Sequence, residues 1–464
     1  MKIYNTLSRT IEEFIPHEEG IVKMYTCGPT VYHYAHIGNI RNYIGHDVLE
    51  KALLYCGYSV KRAMNITDVG HLTSDSDSGE DKMEVARKRE KKSSMEIADF
   101  YTEAFFEDFA KVNCKKPEIV SRATDNIDMY IQIIENLLEK DIAYISGGNI
   151  YFDISKVKDY YVLTNHVEDK MVVGARLGVE EDGNKRNQAD FVLWFTTSKF
   201  ENHELLWDSP WGKGYPGWHI ECTGIAIRYL GEYLDIHGGG VDNIFPHHTN
   251  EIAQSEAYLG HKWCNYWFHN EHLNDESGKM SKSNGDILTI SHLESLGYDP
   301  LSFRYMCLNS HYRRQLVFSY DALNQAEATY KKLINRIASI TDDGELDEGA
   351  FANYNTRFIE AISDDLNTAN ALSLLYELLK DEQVNNHTKL DLIRKFDKVF
   401  SLDLIREKKT LENDSEIMAL IEERALAKKN KDFALADSIR EDLYNKGIEL
   451  IDTREGTTYR IVGE

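Results

Sequence analysis

The sequence predicts a Rossmann-like α/β domain carrying an inserted subdomain, then an α-helical bundle, then a small α+β C-terminal domain. Three observations predict it. A strand–helix–strand order opens the chain, Gly- and Asp-rich strand-like segments run from about 141 to 200, and helical periodicity dominates after about 320. At 464 residues the chain needs such a division. Single cores rarely grow past about 250–300 residues.

Residues 21–27 read as a buried strand, followed by the turn Gly28-Pro29-Thr30. Residues 40–56 read as a helix stopped by Gly57, and 60–66 as the next strand, delivering Thr67 and Asp68 at its carboxyl end. Ligands of such βαβ units bind beyond the carboxyl ends of the strands, so Cys27, the segment 36–39 and Thr67 are expected to converge on one crevice. Helical patterns follow at 83–112 and 124–140. Residues 234–237 resume a core strand, Gly238-Gly239-Gly240 reads as a loop, and 247–259 as a helix. Helical stretches at 323–340, 356–362, 369–379 and 390–400 form the bundle. Residues 416–447 read as further helix, and 448–451 with 457–462 as a hairpin around Glu455-Gly456. The expected domains are 1–116 with 204–268 (Rossmann-like), 117–203 (insertion), 269–330 (a lysine-rich loop region), 331–409 (bundle) and 410–464.

Hydrophobic residues make up 42% and charged residues 28%, an ordinary globular balance with no apolar run long enough for a membrane span. The N-terminus Met1-Lys2-Ile3-Tyr4-Asn5 shows no secretory signal, and six scattered cysteines without a C-x-x-C pair fit reduced thiols, so a cytoplasmic location is expected. Basic residues number 53 against 77 acidic ones, a net charge of −24 that by itself argues against nucleic acid. A polyanion needs only one locally basic path. Arg87-Lys88-Arg89 with Lys91-Lys92, Lys115-Lys116, and Lys428, Lys429 and Lys431 are candidates; each cluster is equally read as a solvated helix face.

Two short stretches carry the chemistry. His36-Ile37-Gly38-Asn39 stands at a strand-to-helix junction, where polar groups and the helix N-terminus attract phosphate. Lys279-Met280-Ser281-Lys282-Ser283 lies in a polar loop and presents two ammonium groups suited to a triphosphate. A metal constellation is also visible: Cys27 ends the first strand, Cys222 precedes His247 by 25 positions, and His247 and Glu251 share a helix face. Two thiolates, an imidazole and a carboxylate make a tetrahedral zinc set. From spacing alone the cysteines are as readily small core residues, and His248 is expected to face solvent.

The two stretches resemble the H-I-G-H and K-M-S-K-S signatures of class I aminoacyl-tRNA synthetases. Further segments are similar to one family among them, the cysteinyl-tRNA synthetases. They include Gly-Pro-Thr-Val-Tyr (28–32), Asn-Ile-Thr-Asp-Val (65–69), Asp-Phe-Val-Leu-Trp (190–194), Trp-Asp-Ser-Pro-Trp-Gly (207–212) and Pro-Gly-Trp-His-Ile-Glu-Cys (216–222). Asp-Ile-His-Gly-Gly-Gly (235–240), Phe-Pro-His-His-Thr-Asn-Glu (245–251), Lys-Asp-Phe-Ala-Leu-Ala-Asp (431–437) and Asp-Thr-Arg-Glu-Gly-Thr-Thr-Tyr (452–459) continue the likeness.

The resemblance implies a nucleotide-binding catalytic domain that activates L-cysteine with ATP and charges the tRNA for cysteine. It implies zinc on Cys27, Cys222, His247 and Glu251; ATP contacts from His36, Gly38, Asn39, Lys279 and Lys282; and substrate contacts from Gly28, Thr67, Trp218 and His237. Magnesium would accompany ATP, zinc would select the thiol over serine's hydroxyl, the two C-terminal domains would bind tRNA, and a monomer is expected. Three positions depart from the family pattern: Asn39 replaces the second histidine, Thr249 a common glutamate, and Tyr215 a common arginine. A ligase passing cysteine to a small amine would have little use for residues 330–464, and a regulatory protein that had lost catalysis little use for intact ligands and lysines.

Overall fold

The computed structural model describes residues 1–69, 82–164, 182–197, 204–275, 278–279, 287–406, 414–445, 448–453 and 456–461. They form two compact units, Met1–Ile405 and Arg406–Glu464. The first opens with an antiparallel pair, β1 (Lys2–Asn5) and β2 (Thr10–Glu13), then β3 (Ile21–Thr26), α1 (Ile37–Tyr55) and β4 (Ser59–Ile66). Next come α2 (Lys82–Glu90), α3 (Ser94–Lys111), β5 (Ile119–Arg122) and α4 (Ile127–Glu139). The helix expected over 83–112 is therefore two. Lys91 takes a left-handed φ of +57°, and Ser93 starts α3 with a reciprocal cap to Glu96.

The insertion is an antiparallel sheet of β6 (Ala143–Ser146), β7 (Asn149–Phe152), β8 (Phe191–Phe195) and β9 (Tyr215–Pro216), in that order. After α5 (Trp218–Leu230) the chain returns through β10 (Leu234–Gly240), α6 (Thr249–Leu259) and β11 (Cys264–Asn270). The central sheet has five parallel strands, ordered β11-β10-β3-β4-β5. The chain winds outward from β3 through β4 to β5, then crosses back to β10, so a crevice opens beyond the carboxyl ends of β3 and β10. β5 falls within the range assigned to the insertion, yet it pairs with β4 from Ala63↔Ile119 to Ile66↔Arg122.

The triglycine expected as a loop is strand: Gly238, Gly239 and Gly240 pair with Phe268, His269 and Asn270. Packing explains Gly238 and Gly239. A Cβ on Gly238 would lie 2.9 Å from His46 Nε2, and one on Gly239 would lie 2.6 Å from His248 Cε1. Side chains, not a turn, require their smallness.

Beyond β11 come β12 (Leu273–Asp275), β13 (Gly278–Lys279), α7 (Ile290–Ser295), α8 (Pro300–Leu308) and β14 (Leu316–Phe318). The bundle follows as α9 (Tyr320–Ala338), α10 (Glu348–Ser363), α11 (Thr368–Lys380) and α12 (Asn386–Phe400). One apolar core joins α1 to this bundle, from Leu49 and Leu53 to Phe358 and Phe396, whose rings stack at 4.1 Å. A buried ion pair pins the same junction: Arg304 Nη2 lies 2.6 Å from Asp47 Oδ2, and its Nε donates to Phe400 O.

The second unit holds α13 (Asp414–Lys429), α14 (Phe433–Asn445) and the hairpin of β15 (Ile448–Thr453) with β16 (Gly456–Ile461). Lys431, at φ +62°, divides the helix expected over 416–447. No helix among the described residues is long and apolar enough to cross a membrane.

Candidate functional site

Four of the expected ligands meet at the crevice. Cys27 follows β3, Cys222 sits in the second turn of α5, His247 lies just before α6, and Glu251 lies in the first turn of α6. Their donor atoms lie within 4.8 Å of one another. Cys27 Sγ and Cys222 Sγ are 3.8 Å apart, Cys222 Sγ and His247 Nε2 3.5 Å, and His247 Nε2 and Glu251 Oε1 3.0 Å. A tetrahedral zinc with bonds of about 2.3 Å to sulfur spans about 3.8 Å between sulfurs. The donor set fits such an ion.

Two expectations need correction here. His247 does not begin the α-helix; it lies in a π-type turn, Ile244–His248, that Thr249 closes by donating its hydroxyl to Ile244 O at 2.8 Å. That hydroxyl accounts for threonine at 249. His248, expected in solvent, is fully buried, with Nε2 3.3 Å from Cys27 Sγ. Cys27, His237, His248 and Glu251 thus form an overlapping set of possible donors. Both sets share Cys27 and Glu251, which leaves room for one ion. His237 Nε2 already meets Glu251 Oε2 at 2.8 Å, and only the first set offers two thiols.

Sequence reasoning passed over the next layer. His219 Nδ1 lies 3.0 Å from His247 Nδ1, while His248 Nδ1 meets His269 Nε2 at 2.8 Å and His269 Nδ1 meets Thr6 Oγ1 at 2.8 Å. Such partners fix ring orientation and tautomer around a metal. The position of His219 beside Trp218 was the one available signal; His269 carried none.

The electrostatics suit a cation. The hydrogen bond from Cys222 lowers the Cys27 thiol, but burial and the Glu251 charge carry it above its ordinary value. Burial pushes Cys222 well up. Burial disfavours a charge on His247, yet Glu251 and Cys222 raise it to about 10. Burial likewise raises Glu251, and His237 and His247 overcome it, to about 2. The polypeptide alone therefore holds a proton on His247 beside a carboxylate and two neutral thiols. A divalent ion takes the place of those protons.

The expected substrate residues adjoin this cluster. The Trp218 ring lies 4.3 Å from that of His247, and His237 stacks on Trp267 at 4.7 Å. The Gly28 N–H donates to Asn65 Oδ1 at 2.7 Å; Thr67 accepts from Asn65 Nδ2 and donates to Glu221 Oε2 at 2.8 Å. Tyr215 is buried and stacks on Phe195 at 4.9 Å, which accounts for an aromatic side chain there.

His36 is the N-cap of α1, just outside the helix. Its Nδ1 accepts from the Asn39 N–H at 3.3 Å while Asn39 Oδ1 accepts from the His36 N–H at 3.2 Å. The amide at 39 thus closes a capping box and keeps its NH2 group as a donor. A Cβ on Gly38 would lie 2.8 Å from His36 Cε1, so glycine also leaves space for that ring. The Lys279 backbone lies in β13, paired with Asn274; Lys282 falls outside the described residues. Of the basic clusters, Arg87 pairs with Glu204 and Lys115 with buried Glu50, so part of each is spent internally.

A family model described as the class I (C) tRNA synthetase catalytic domain matches residues 13–328, and a DALR domain model matches 357–402. The cysteine–tRNA ligase of Treponema denticola is 46% identical, with 99% of each chain covered. The chain belongs to the cysteine–tRNA ligase family. The cysteine–tRNA ligase of Borreliella burgdorferi is 45% identical over 98% of each chain. A structure of Mycobacterium tuberculosis methionyl-tRNA synthetase bound by methionyl-adenylate superposes with a TM-score of 0.56 at 13% identity, covering 82% of this chain and 92% of that one. That likeness is one of fold. Membership of the cysteine–tRNA ligases makes this chain an aminoacyl-tRNA synthetase of class I and an enzyme, with the Rossmann-like domain, insertion and helical C-terminal region expected of the sequence.

Proposed function

We propose that zinc is the ion of the Cys27, Cys222, His247 and Glu251 cluster, and that cysteine activation and transfer to tRNA take place in the crevice beside it. The donor geometry carries this reading: two sulfurs 3.8 Å apart, with an imidazole and a carboxylate completing the set. When bound, zinc supplies a bond to the substrate thiol that a serine hydroxyl cannot match, supporting discrimination of about 10⁴ or more without an editing site.

The remaining work belongs to side chains. Trp218 and His237 wall the space beside the cluster, and Gly28 and Thr67 line the ends of β3 and β4, where the amino acid is held with its carboxylate toward the α-phosphorus of ATP. His36 and Asn39 receive the phosphates at the N-terminus of α1, where the helix dipole favours anions. Gly38 gives the nucleotide close approach, and Lys279 and Lys282 neutralise charge developing on phosphoryl oxygens as pyrophosphate leaves. Magnesium accompanies ATP. A terminal ribose hydroxyl of tRNA then takes the cysteinyl group from the resulting adenylate, releasing AMP, with the bundle and the C-terminal unit gripping the rest of the tRNA and the enzyme acting as a cytoplasmic monomer.

The test is cysteine-dependent ATP–pyrophosphate exchange, followed by tRNA charging in the same preparation with metal content measured. Exchange and charging that fall together on zinc removal or in Lys282→Ala support the reading. Full activity in zinc-free enzyme overturns the metal assignment.

A further inference from the structure

Arg41 lies on α1, five residues after His36, and its side chain is almost entirely buried, with 4% exposure. Among the described residues it meets no carboxylate within ion-pair distance. It donates instead to three backbone carbonyls. Nη1 donates to Glu271 O at 2.7 Å and to His272 O, and Nη2 donates to Arg314 O at 2.5 Å.

Those carbonyls sit at the roots of two strands. Glu271 and His272 precede β12, and Arg314 precedes β14, which pairs with β12 in parallel from Leu273↔Leu316 to Asp275↔Phe318. β12 also pairs with β13, placing Asn274 opposite Lys279. The far side of the lysine loop is held by the same helix, since the Ile37 N–H donates to Leu288 O at 2.9 Å. The helix that His36 caps therefore grips both ends of the segment that carries the lysines.

Two further details mark a close junction between α1 and β11. Asn270, the last residue of β11, donates to Asn42 Oδ1 at 2.9 Å. A Cβ on Gly45 would lie 1.9 Å from Asn270 Oδ1. Burying a guanidinium against carbonyl dipoles alone is costly, and an apolar side chain would fill the same space at less cost. What the planar fork adds is simultaneous reach to several acceptors on two strands, which an ammonium cannot reproduce.

We propose that Arg41 is a positioning residue for adenylate formation: it fixes the roots of β12 and β14, and through β12 the backbone of Lys279 in β13, against the phosphate-binding N-terminus of α1. This rests on the assignment of Lys279 and Lys282 to ATP given above. Arg41 touches no substrate; it acts through the root of the hairpin that presents Lys279.

The experiment is a double-mutant cycle read by ATP–pyrophosphate exchange on the zinc-loaded full-length chain. Arg41→Met is expected to lower kcat/KM for ATP about 10²-fold, the scale of an ångström-sized misplacement of reacting groups, with KM for cysteine and zinc content unchanged. In a Lys279→Ala or Lys282→Ala background the same substitution should cost little more, because the groups it positions are gone. Full additivity overturns the proposal, as does an equal loss in KM for cysteine. If neither lysine substitution lowers exchange, the ATP assignment itself fails and the role of Arg41 falls with it. Arg41→Lys, which keeps the charge but cannot span three carbonyls, serves in the same cycle where the methionine variant does not fold.

Discussion

Gly28→Ala tests how tightly the amino-acid end of the crevice is built. A Cβ on Gly28 would fall 1.7 Å from Asn65 O, 2.8 Å from Asn65 C and 2.9 Å from Met64 Cγ. Non-bonded contacts to Cβ are essentially never below 3.0 Å, so the segments after β3 and at the end of β4 must part by more than an ångström. They are stitched together at that point. The Gly28 N–H donates to Asn65 Oδ1 at 2.7 Å, the Thr67 N–H to Pro29 O at 3.0 Å, and the Val31 N–H to Thr67 O at 3.1 Å. Separation breaks the first of these and carries Cys27 away from Cys222.

Overpacking of this kind costs about 1–3 kcal/mol of stability, which a domain of this size can survive folded. Catalysis is less tolerant: an ångström of displacement costs about 10²-fold. Cysteine-dependent ATP–pyrophosphate exchange should therefore lose about two orders of magnitude in kcat/KM for cysteine while the chain still melts cooperatively. Exchange within threefold of the parent, at an unchanged KM for cysteine, would refute the idea that these segments form one rigid wall of the substrate pocket.

Removing a metal donor found only in the first set, as in Cys222→Ala or His247→Ala, should lower zinc affinity by at least about 10²-fold, measured by competition with a chromogenic chelator; unchanged affinity would shift the ion to the His237 and His248 set. Gly239→Ala presses a methyl group to 2.6 Å from His248 Cε1 and should depress exchange without lowering zinc content, since His248 is not among the proposed ligands. Asp47→Asn leaves Arg304 buried without its carboxylate and should cost about 3–5 kcal/mol at neutral pH in urea denaturation. Burial alone would raise the Asp47 carboxyl, but Arg304 and Lys51 hold it below its usual value. Its contribution is thus complete above the unfolded pKa of about 4 and fades as pH falls through the lower folded value, so the variant should show a flatter acid limb; equal slopes would show the pair contributes nothing.

The strand–helix–strand opening was legible because apolar runs and Gly57 bound each element, and the carboxyl-end rule then placed Cys27 and Thr67 correctly. The four donors were visible as residue types but came from three elements, so spacing alone did not separate them from ordinary core residues. The family likeness, now supported by relatives spanning nearly the whole chain, made that separation. What stayed hidden depends on contacts distant in sequence. Gly238 to Gly240 read as a loop because glycine is rare in strands; only the approach of His46 and His248 shows why the strand needs glycine at 238 and 239. His248 read as solvent-facing, and His269 was not singled out, because nothing local reveals that each ring has a buried partner.

That buried layer bears on how thiol is told from hydroxyl. Burial first, and then neighbouring imidazoles, push His248 well below the ordinary histidine range, and burial with His237 takes His269 to about 3. These rings are neutral at physiological pH, so the cluster presents lone pairs, thiols and a single carboxylate in a space closed by Trp218 and Trp267. A pocket relying on size would separate serine from cysteine poorly, because the two differ by one atom. A pocket in which His219 already orients the His247 donor needs little reorganisation to hold a soft cation, and on the proposed assignment the cation's preference for sulfur would read the substrate. Selectivity then resides in donor chemistry rather than cavity shape, and substitutions that reorient the imidazoles should erode it before they erode ATP binding at the far end of α1.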